Sequence, residues 1–363
     1  MKKLRIGVLG GGGILGAHAP GYRLAADLCE VIAVAEPNAN CHQRIRDLVG
    51  KGVRIDRDYH DTVAARDVDA VDILLPHDLH MPAAVAAAGA GKHVLVEKVM
   101  ARNVWECDRM IEACERAGVT LTVSHDRRYN SQWIALKEVV DSGALGDIFY
   151  WKLDHNQNVA VPPGHWIRSV DAIGGGAVMS CLTHQIDALR WYGGEVESVT
   201  CMTKVLPERM DGESVGVIAA AMKSGALAQM SINWWTSPNR ATSDLWYEMV
   251  QACGTKGEAY YMCGRGTFVL LRDEAQRRAF PQYAGGKPDV FVRVDKGDEP
   301  GHPRCVAEWV KMLCGLPSSV STTGRESRGT VEVAEAAYLS VAERRVVTLP
   351  VEPQPWKSHA RGS

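Results

Sequence analysis

Up to about residue 125, short apolar runs rich in β-branched residues alternate with alanine-rich helical stretches. The runs at 4–9, 31–35, 70–75, 93–97 and 121–124 predict strands, and the stretches near 14–28, 39–50, 80–90 and 103–117 predict helices. Strands and helices alternating at this spacing point to βαβ units and a parallel sheet. Segments 6–9 and 71–75 are almost continuously apolar, as strands covered on both faces must be. After residue 125 the pattern changes. A helix near 131–143 leads into alternating stretches at 148–153, 196–205, 215–222, 226–235, 247–253, 258–263 and 267–271. Short turns such as Lys223-Ser224-Gly225 join them, which predicts hairpins and an antiparallel sheet. One strong helix interrupts at 177–192, announced by Gly174-Gly175-Gly176, and two more near 301–315 and 325–343 close the chain. The change of pattern divides the chain into domains at 1–124 and 125–363.

A length of 363 residues suits two domains of about 150 residues, each large enough for its own core. Lys and Arg number 41 against 43 Asp and Glu, so the net charge of −2 gives no reason to expect nucleic acid or an anionic membrane as partner. The ten cysteines include no C-x-x-C pair, which excludes a zinc ribbon or thioredoxin-type motif and reads as reduced thiols in a cytoplasmic protein. The start, MKKLRIGVLGGGG, superficially resembles a secretion signal, but four glycines break its apolar run after a few residues. No stretch approaches the roughly 20 apolar residues of a membrane span. The expectation is a soluble, cytoplasmic protein.

The first strand runs directly into Gly10-Gly11-Gly12-Gly13-Ile14-Leu15-Gly16. Two registers of the dinucleotide fingerprint compete. Gly11, Gly13 and Gly16 satisfy G-x-G-x-x-G in full, whereas a start at Gly10 and Gly12 puts Leu15 in the third glycine position. In either register the missing Cβ atoms let the backbone approach a pyrophosphate, and the helix that follows offers amide donors and a positive dipole end. Glu36 ends the second strand at the distance where a carboxylate bonds the adenosine ribose hydroxyls and repels a 2′-phosphate, favouring NAD over NADP. Farther along, Pro76, His77 and His80 follow one strand, and Glu97 and Lys98 end the next. The ligand crevice of an open parallel sheet lies outside the carboxyl ends of its strands, so these residues, with Ile14 and Arg127, become candidates for holding a cofactor. A desolvated Lys98 there can shuttle protons; taken alone, Glu97-Lys98 also reads as a surface ion pair.

The stretches RIGVLGGGG…AH, VDILLPHDLH, GKHVLVEK, AGVTLTVSHDRRYN, SGALGDI, GGGAVMSCLTHQIDALRWYGG and GTKGEAYY, in this order, resemble the Gfo/Idh/MocA family of NAD(P)-dependent oxidoreductases. The resemblance implies an α/β protein: a Rossmann cofactor domain followed by an α+β domain with a large, open, mainly antiparallel sheet, used to form dimers or tetramers. It places the family's catalytic lysine on Lys98, with Val99 where proline is usual, and loss of that proline frees a fixed φ. The family's helix motif D-x-x-x-H-x-x-D maps onto Ser180, His184 and Asp187, which share one helical face.

His184 is then the general base that accepts a hydroxyl proton. A carboxylate at 180 would both orient the imidazole and stabilise its protonated form; a hydroxyl does only the first well. The expectation is a less basic His184, or compensation by Lys98, Asp187 or another carboxylate. Arg128 and Tyr129, at the crossing between domains, and His155, His165, Trp166 and Arg168, before the catalytic helix, join Lys98, Ser180, His184 and Asp187 as substrate candidates. Aromatic, polar and cationic groups together suit a sugar or polyol. The resulting expectation is an NAD-dependent dehydrogenase or reductase of a sugar, sugar derivative or cyclitol. An NAD-dependent glycoside hydrolase, working by transient oxidation, elimination, water addition and re-reduction, is the alternative; a cofactor-binding regulator is a third class. His184 and Asp187 alone are too few ligands for a metal.

Overall fold

The computed structural model describes residues 2–236, 247–283 and 290–357. Strands β1 (Leu4–Leu9), β2 (Cys29–Ala35), β3 (Arg54–Asp56), β4 (Ala70–Ile73), β5 (His93–Glu97) and β6 (Leu121–Ser124) form one parallel sheet. Their order is β3-β2-β1-β4-β5-β6, so the direction of winding reverses between β1 and β4 and opens a crevice there. Helices α1 (Leu15–Leu24), α2 (His42–Val49), α3 (Tyr59–Ala64), α4 (His77–Gly89) and α5 (Val104–Ala117) connect the strands. The central strands are buried on both faces, with Ile6, Val8, Val71, Ile73, Val94 and Val96 all fully sealed. Capping follows the sequence: Asn103 accepts the Glu106 amide at the start of α5, and Gly118 in the left-handed conformation ends it. The apolar pattern does not announce β3 and α3, because the one is a three-residue edge strand and the other a six-residue helix.

The second half begins with α6 (Ser131–Asp141), capped by the Asn130 side chain. Strands β7 (Ile148–Asn156), β8 (Val196–Val205), β9 (Glu213–Met222), β10 (Leu227–Asn233), β11 (Tyr247–Gly254), β12 (Gly257–Met262), β13 (Gly266–Leu271), β14 (Val292–Arg293) and β15 (Val347–Thr348) form a nine-stranded sheet. Its order is β14-β13-β12-β11-β7-β10-β9-β8-β15. Neighbours are antiparallel except β7 and β10, which run parallel at the centre. A parallel pair needs a long crossover, here supplied by the chain between them, including the turn α7 (Val170–Ile173), the π-helical segment Val178–Leu182 and α8 (Thr183–Gly193). The helix expected over 177–192 is therefore two segments of different winding.

After α9 (Glu274–Ala279), helices α10 (Gly301–Leu313) and α11 (Gly324–Glu343) complete the molecule. The α10 helix returns to the first sheet and packs on α1; a Cβ on Gly21 would lie 2.6 Å from Val306 Cβ. The other face of the large sheet leaves Met202, Leu227 and Val217 at 80%, 61% and 44% exposure.

Candidate active site

The chain leaves β1 through Gly10, whose φ is +104° and whose Cβ, had it one, would lie 2.5 Å from the Leu74 carbonyl. Only glycine fits that turn. The Gly11 amide donates to Glu36 Oε2 at 2.9 Å, and the Asn38 amide donates to Oε1 at 2.8 Å, so the glutamate is held against the glycine loop. Gly12, Gly13 and Gly16 face open space, which is the cradle that a pyrophosphate requires over a helix N-terminus. The residues present thus fit a dinucleotide. Of their two neighbours, Ile14 lines the cavity described next, whereas the Leu15 side chain is fully buried in the core around β1.

A second group at the loop was not visible in the sequence. Arg44, on α2, donates to the carbonyls of Gly11 and Gly12, each at 2.6 Å. Its only signal is an arginine eight positions past Glu36, and it took the fold-back of α2 to bring it near.

Beyond the carboxyl ends of β4 and β5 lies a cavity of about 430 Å³, whose walls come from both halves of the chain. His77, Glu97, Lys98 and Arg127 line one side; His155, Trp166, Ser180 and His184 line the other. Lys98 Nζ donates to the Ser180 carbonyl at 2.9 Å, so the lysine meets the Val178–Leu182 segment directly. Val99 is fully buried and follows Lys98 through a cis peptide. Burial pushes the His184 imidazole well below its usual range, and the charges of Arg127 and Lys98 push the same way. His184 Nδ1 lies 3.6 Å from Asp126 Oδ1. His77 Nδ1 donates to the Ile173 carbonyl at 3.0 Å, and burial, then His80 and Lys98, keep its ring neutral. Arg127 is clamped by Glu248, at 3.1 and 3.2 Å, and by Asp126 at 2.6 Å.

Other expected site residues are engaged elsewhere. Arg128 and Asp187 form a buried two-point ion pair, at 2.9 and 2.8 Å, extended to Glu326 of α11; neither lines the cavity, because each satisfies the other's charge. The buried Tyr129 meets Thr322 at 3.3 Å. His80 is spent on the backbone carbonyls of Leu75 and Val99, at 2.8 and 2.9 Å. Pro76 precedes α4 outside the cavity wall, though Leu75 and His77 on either side belong to it. His165 accepts the Ile167 amide at 3.3 Å and caps its own short turn, and Arg168 donates to the carbonyls of Val161 and Pro207.

Glu97 carries a feature that the motif did not announce. Its side chain turns back from the cavity mouth to His18, whose Nε2 lies 3.0 Å from Oε1 and whose Nδ1 lies 2.7 Å from Asp72 Oδ2. Tyr22 also donates to Asp72. Burial opposes charge on His18, but Asp72 and Glu97 outweigh it and raise the imidazole to about 10. His302 of α10 stands 3.8 Å from Glu97 and 3.2 Å from Asp126. His18, Glu97 and His302 bring ligand-type atoms within 4.8 Å, yet both His18 nitrogens already serve carboxylates, and hydrogen bonding explains the group.

A six-stranded parallel sheet in this order, a glycine cradle at its switch point and a lysine beside the crevice define an NAD-binding oxidoreductase. Residues 4–125 match the oxidoreductase family with an NAD-binding Rossmann fold, and residues 133–260 match the GFO/IDH/MocA C-terminal domain. The chain belongs to the Gfo/Idh/MocA family, in which NAD-dependent sugar and cyclitol dehydrogenases are found. It is similar to the myo-inositol 2-dehydrogenase of Thermotoga maritima, 29% identical over 95% of this chain and 98% of that one. It also resembles the levoglucosan dehydrogenase of Pseudarthrobacter phenanthrenivorans, 28% identical over 58% of this chain and 56% of that one. Among solved structures, the WlbA dehydrogenase of Bordetella pertussis, in complex with NADH and UDP-GlcNAcA, superposes with a TM-score of 0.81 at 25% identity, covering 97% and 99% of the two chains.

Proposed function

We propose that this protein moves a hydride between NAD and a secondary hydroxyl of a sugar, sugar derivative or cyclitol. The observation that carries the reading is one cavity, outside the carboxyl ends of β4 and β5, into which Lys98 and His184 come from different halves of the chain. Residues 1–124 then serve as the cofactor domain and residues 125–363 as the substrate domain. The bound dinucleotide supplies the hydride acceptor. The Lys98 ammonium donates to the substrate oxygen and stabilises negative charge there, held in place by the Ser180 carbonyl. His184, kept neutral by burial and nearby cations, accepts the hydroxyl proton. His155 and Trp166 offer a polar edge and an aromatic face to the ring of the substrate. Glu36 holds the ribose and disfavours a 2′-phosphate.

Two further elements belong to this reading. The exposed apolar residues of the large sheet support association of copies into a dimer or tetramer through that face. Ten free thiols fit the reducing cytoplasm. The relatives named above are dehydrogenases, so net redox chemistry is favoured over redox-neutral glycoside hydrolysis. A panel of inositols, aldoses and nucleotide sugars incubated with NAD tests the proposal. Steady formation of NADH with one of them is expected; aglycone release from aryl glycosides without NADH would replace the reading by the hydrolytic one. Leu227→Asp on the open face should convert the assembly to monomers in sedimentation, and an unchanged mass would overturn the interface.

A further inference from the structure

We propose that Asp126 is a positioning residue for His184, supplying from the crossing between the two halves the carboxylate that Ser180 does not supply from the helix. This rests on reading His184 as the general base. Asp126 Oδ1 and His184 Nδ1 are both buried, both without a hydrogen-bond partner, and 3.6 Å apart. Two unsatisfied buried polar atoms facing each other are rare in folded proteins, and each normally finds a partner. The other oxygen of Asp126 is committed: Oδ2 accepts from Arg127 at 2.6 Å and lies 3.2 Å from His302 Nδ1. One oxygen is therefore anchored and the other left for the imidazole.

The backbone geometry favours the pair. Asp126 opens a short helical turn, Asp126–Tyr129, directly after β6. Two residues along that turn, Arg128 makes its two-point contact with Asp187, three residues along α8 from His184. The Arg128–Asp187 pair, which sequence reasoning aimed at the substrate, instead clamps the turn to the helix and fixes the distance between Asp126 and His184. A separation of 3.6 Å is too long for a hydrogen bond, and a closure of about 0.6 Å would make one; such contacts often tighten when a site fills.

The groups facing the imidazole explain why it needs this partner. Lys98, Arg127, His125 and His155 all disfavour charge on it. When the substrate hydroxyl gives its proton to Nε2, the Nδ1–H must point at an acceptor. Asp126 provides one, and the same contact keeps Nε2 unprotonated and turned towards the cavity beforehand. The carboxylate itself takes no proton.

Nitrogen-15 spectra of the histidine rings, recorded on the full-length, cofactor-free protein, test the pair without any turnover. Wild type is expected to hold His184 as the Nδ1–H tautomer at neutral pH, and Asp126→Asn to shift it towards Nε2–H; the same tautomer in both would overturn the proposal. In turnover, Asp126→Asn should lower kcat about 10- to 100-fold. Removing the negative charge makes His184 less basic, so the acid limb of kcat/KM should move to lower pH while NADH affinity stays put. Ser180→Asp in the Asp126→Asn background should restore most of the loss, because a carboxylate one helical turn before His184 reaches the same nitrogen. An unmoved acid limb, or no restoration, would reduce Asp126 to a structural anchor for Arg127 and sink the idea. Should Asp126→Asn fail to fold, the wild-type spectrum alone decides: an Nε2–H tautomer of His184 at neutral pH refutes the role. If wild type turns over no polyol at all, the hydride-transfer reading fails, and the tautomer comparison still judges Asp126 separately.

Discussion

Two histidines, both buried, stand on opposite sides of the end of β5 and behave in opposite ways. His18 sits between Asp72 and Glu97, and its imidazole is raised to about 10. His184, across the cavity, faces Arg127, Lys98 and two further histidines and is driven well below its usual range. Burial penalises charge at both sites. The sign of the outcome comes from the neighbours: two carboxylates in one case, cations in the other. The Glu97-Lys98 step, at the end of β5, joins the two environments: Glu97 bonds His18, and Lys98 bonds the Ser180 carbonyl beside His184. Glu97 turns back to anchor the strand, and Lys98 turns forward to the cavity. The same dipeptide anchors the strand with one side chain and supplies with the next the ammonium proposed for chemistry.

The contrast breaks most sharply under substitution. Lys98→Met and His184→Ala should each lower kcat by about 10²–10⁴-fold while fluorescence titration shows NADH bound nearly as tightly; near-full turnover by both would abolish the assigned roles. His18→Ala should do the reverse. It leaves Asp72 and Glu97 buried with their counter-charge gone, costing about 3–5 kcal/mol in urea unfolding, and His184→Ala should cost far less.

Their pH dependences should also have opposite signs. The folded-state value of His18 lies above its unfolded value, so its contribution to stability is complete below about 6.5 and is lost as pH rises towards about 10. That of His184 is depressed, so its neutral form stabilises above about 6.5, and the contribution is lost as pH falls. Urea midpoints measured across pH should therefore lose their alkaline decline in a His18 variant and part of their acid decline in a His184 variant. The smallest expected effect is at the adenosine end. Glu36→Gln should weaken NAD binding by about tenfold, the order of one charged hydrogen bond, and narrow the preference against NADP; an unchanged ratio would remove Glu36 from cofactor choice.

Much of this was readable along the chain because it depends on neighbours in sequence. Strand runs 4–9, 93–97 and 121–124 coincide with β1, β5 and β6, since parallel strands covered on both faces are built mainly from apolar residues. The glycine loop and Glu36 were legible because a tight strand–helix turn admits few residue types. Lys98 and His184 were singled out through the family resemblance, and the structure brings both to one cavity. Asp126, His18, His302 and Arg44 were not, because nothing nearby in sequence marks them and their partners lie on other elements.

Local order alone therefore determined the two-part architecture and the dinucleotide cradle, and family resemblance singled out the two residues proposed for chemistry. Tertiary structure decided where each charge points. Sequence placed Arg128 and Asp187 among the substrate candidates, and only packing made them a clamp. Charge and hydrogen bonding act over a few ångströms of space, not of sequence. The protonation of a buried histidine is thus set by whichever distant segments the fold delivers to it.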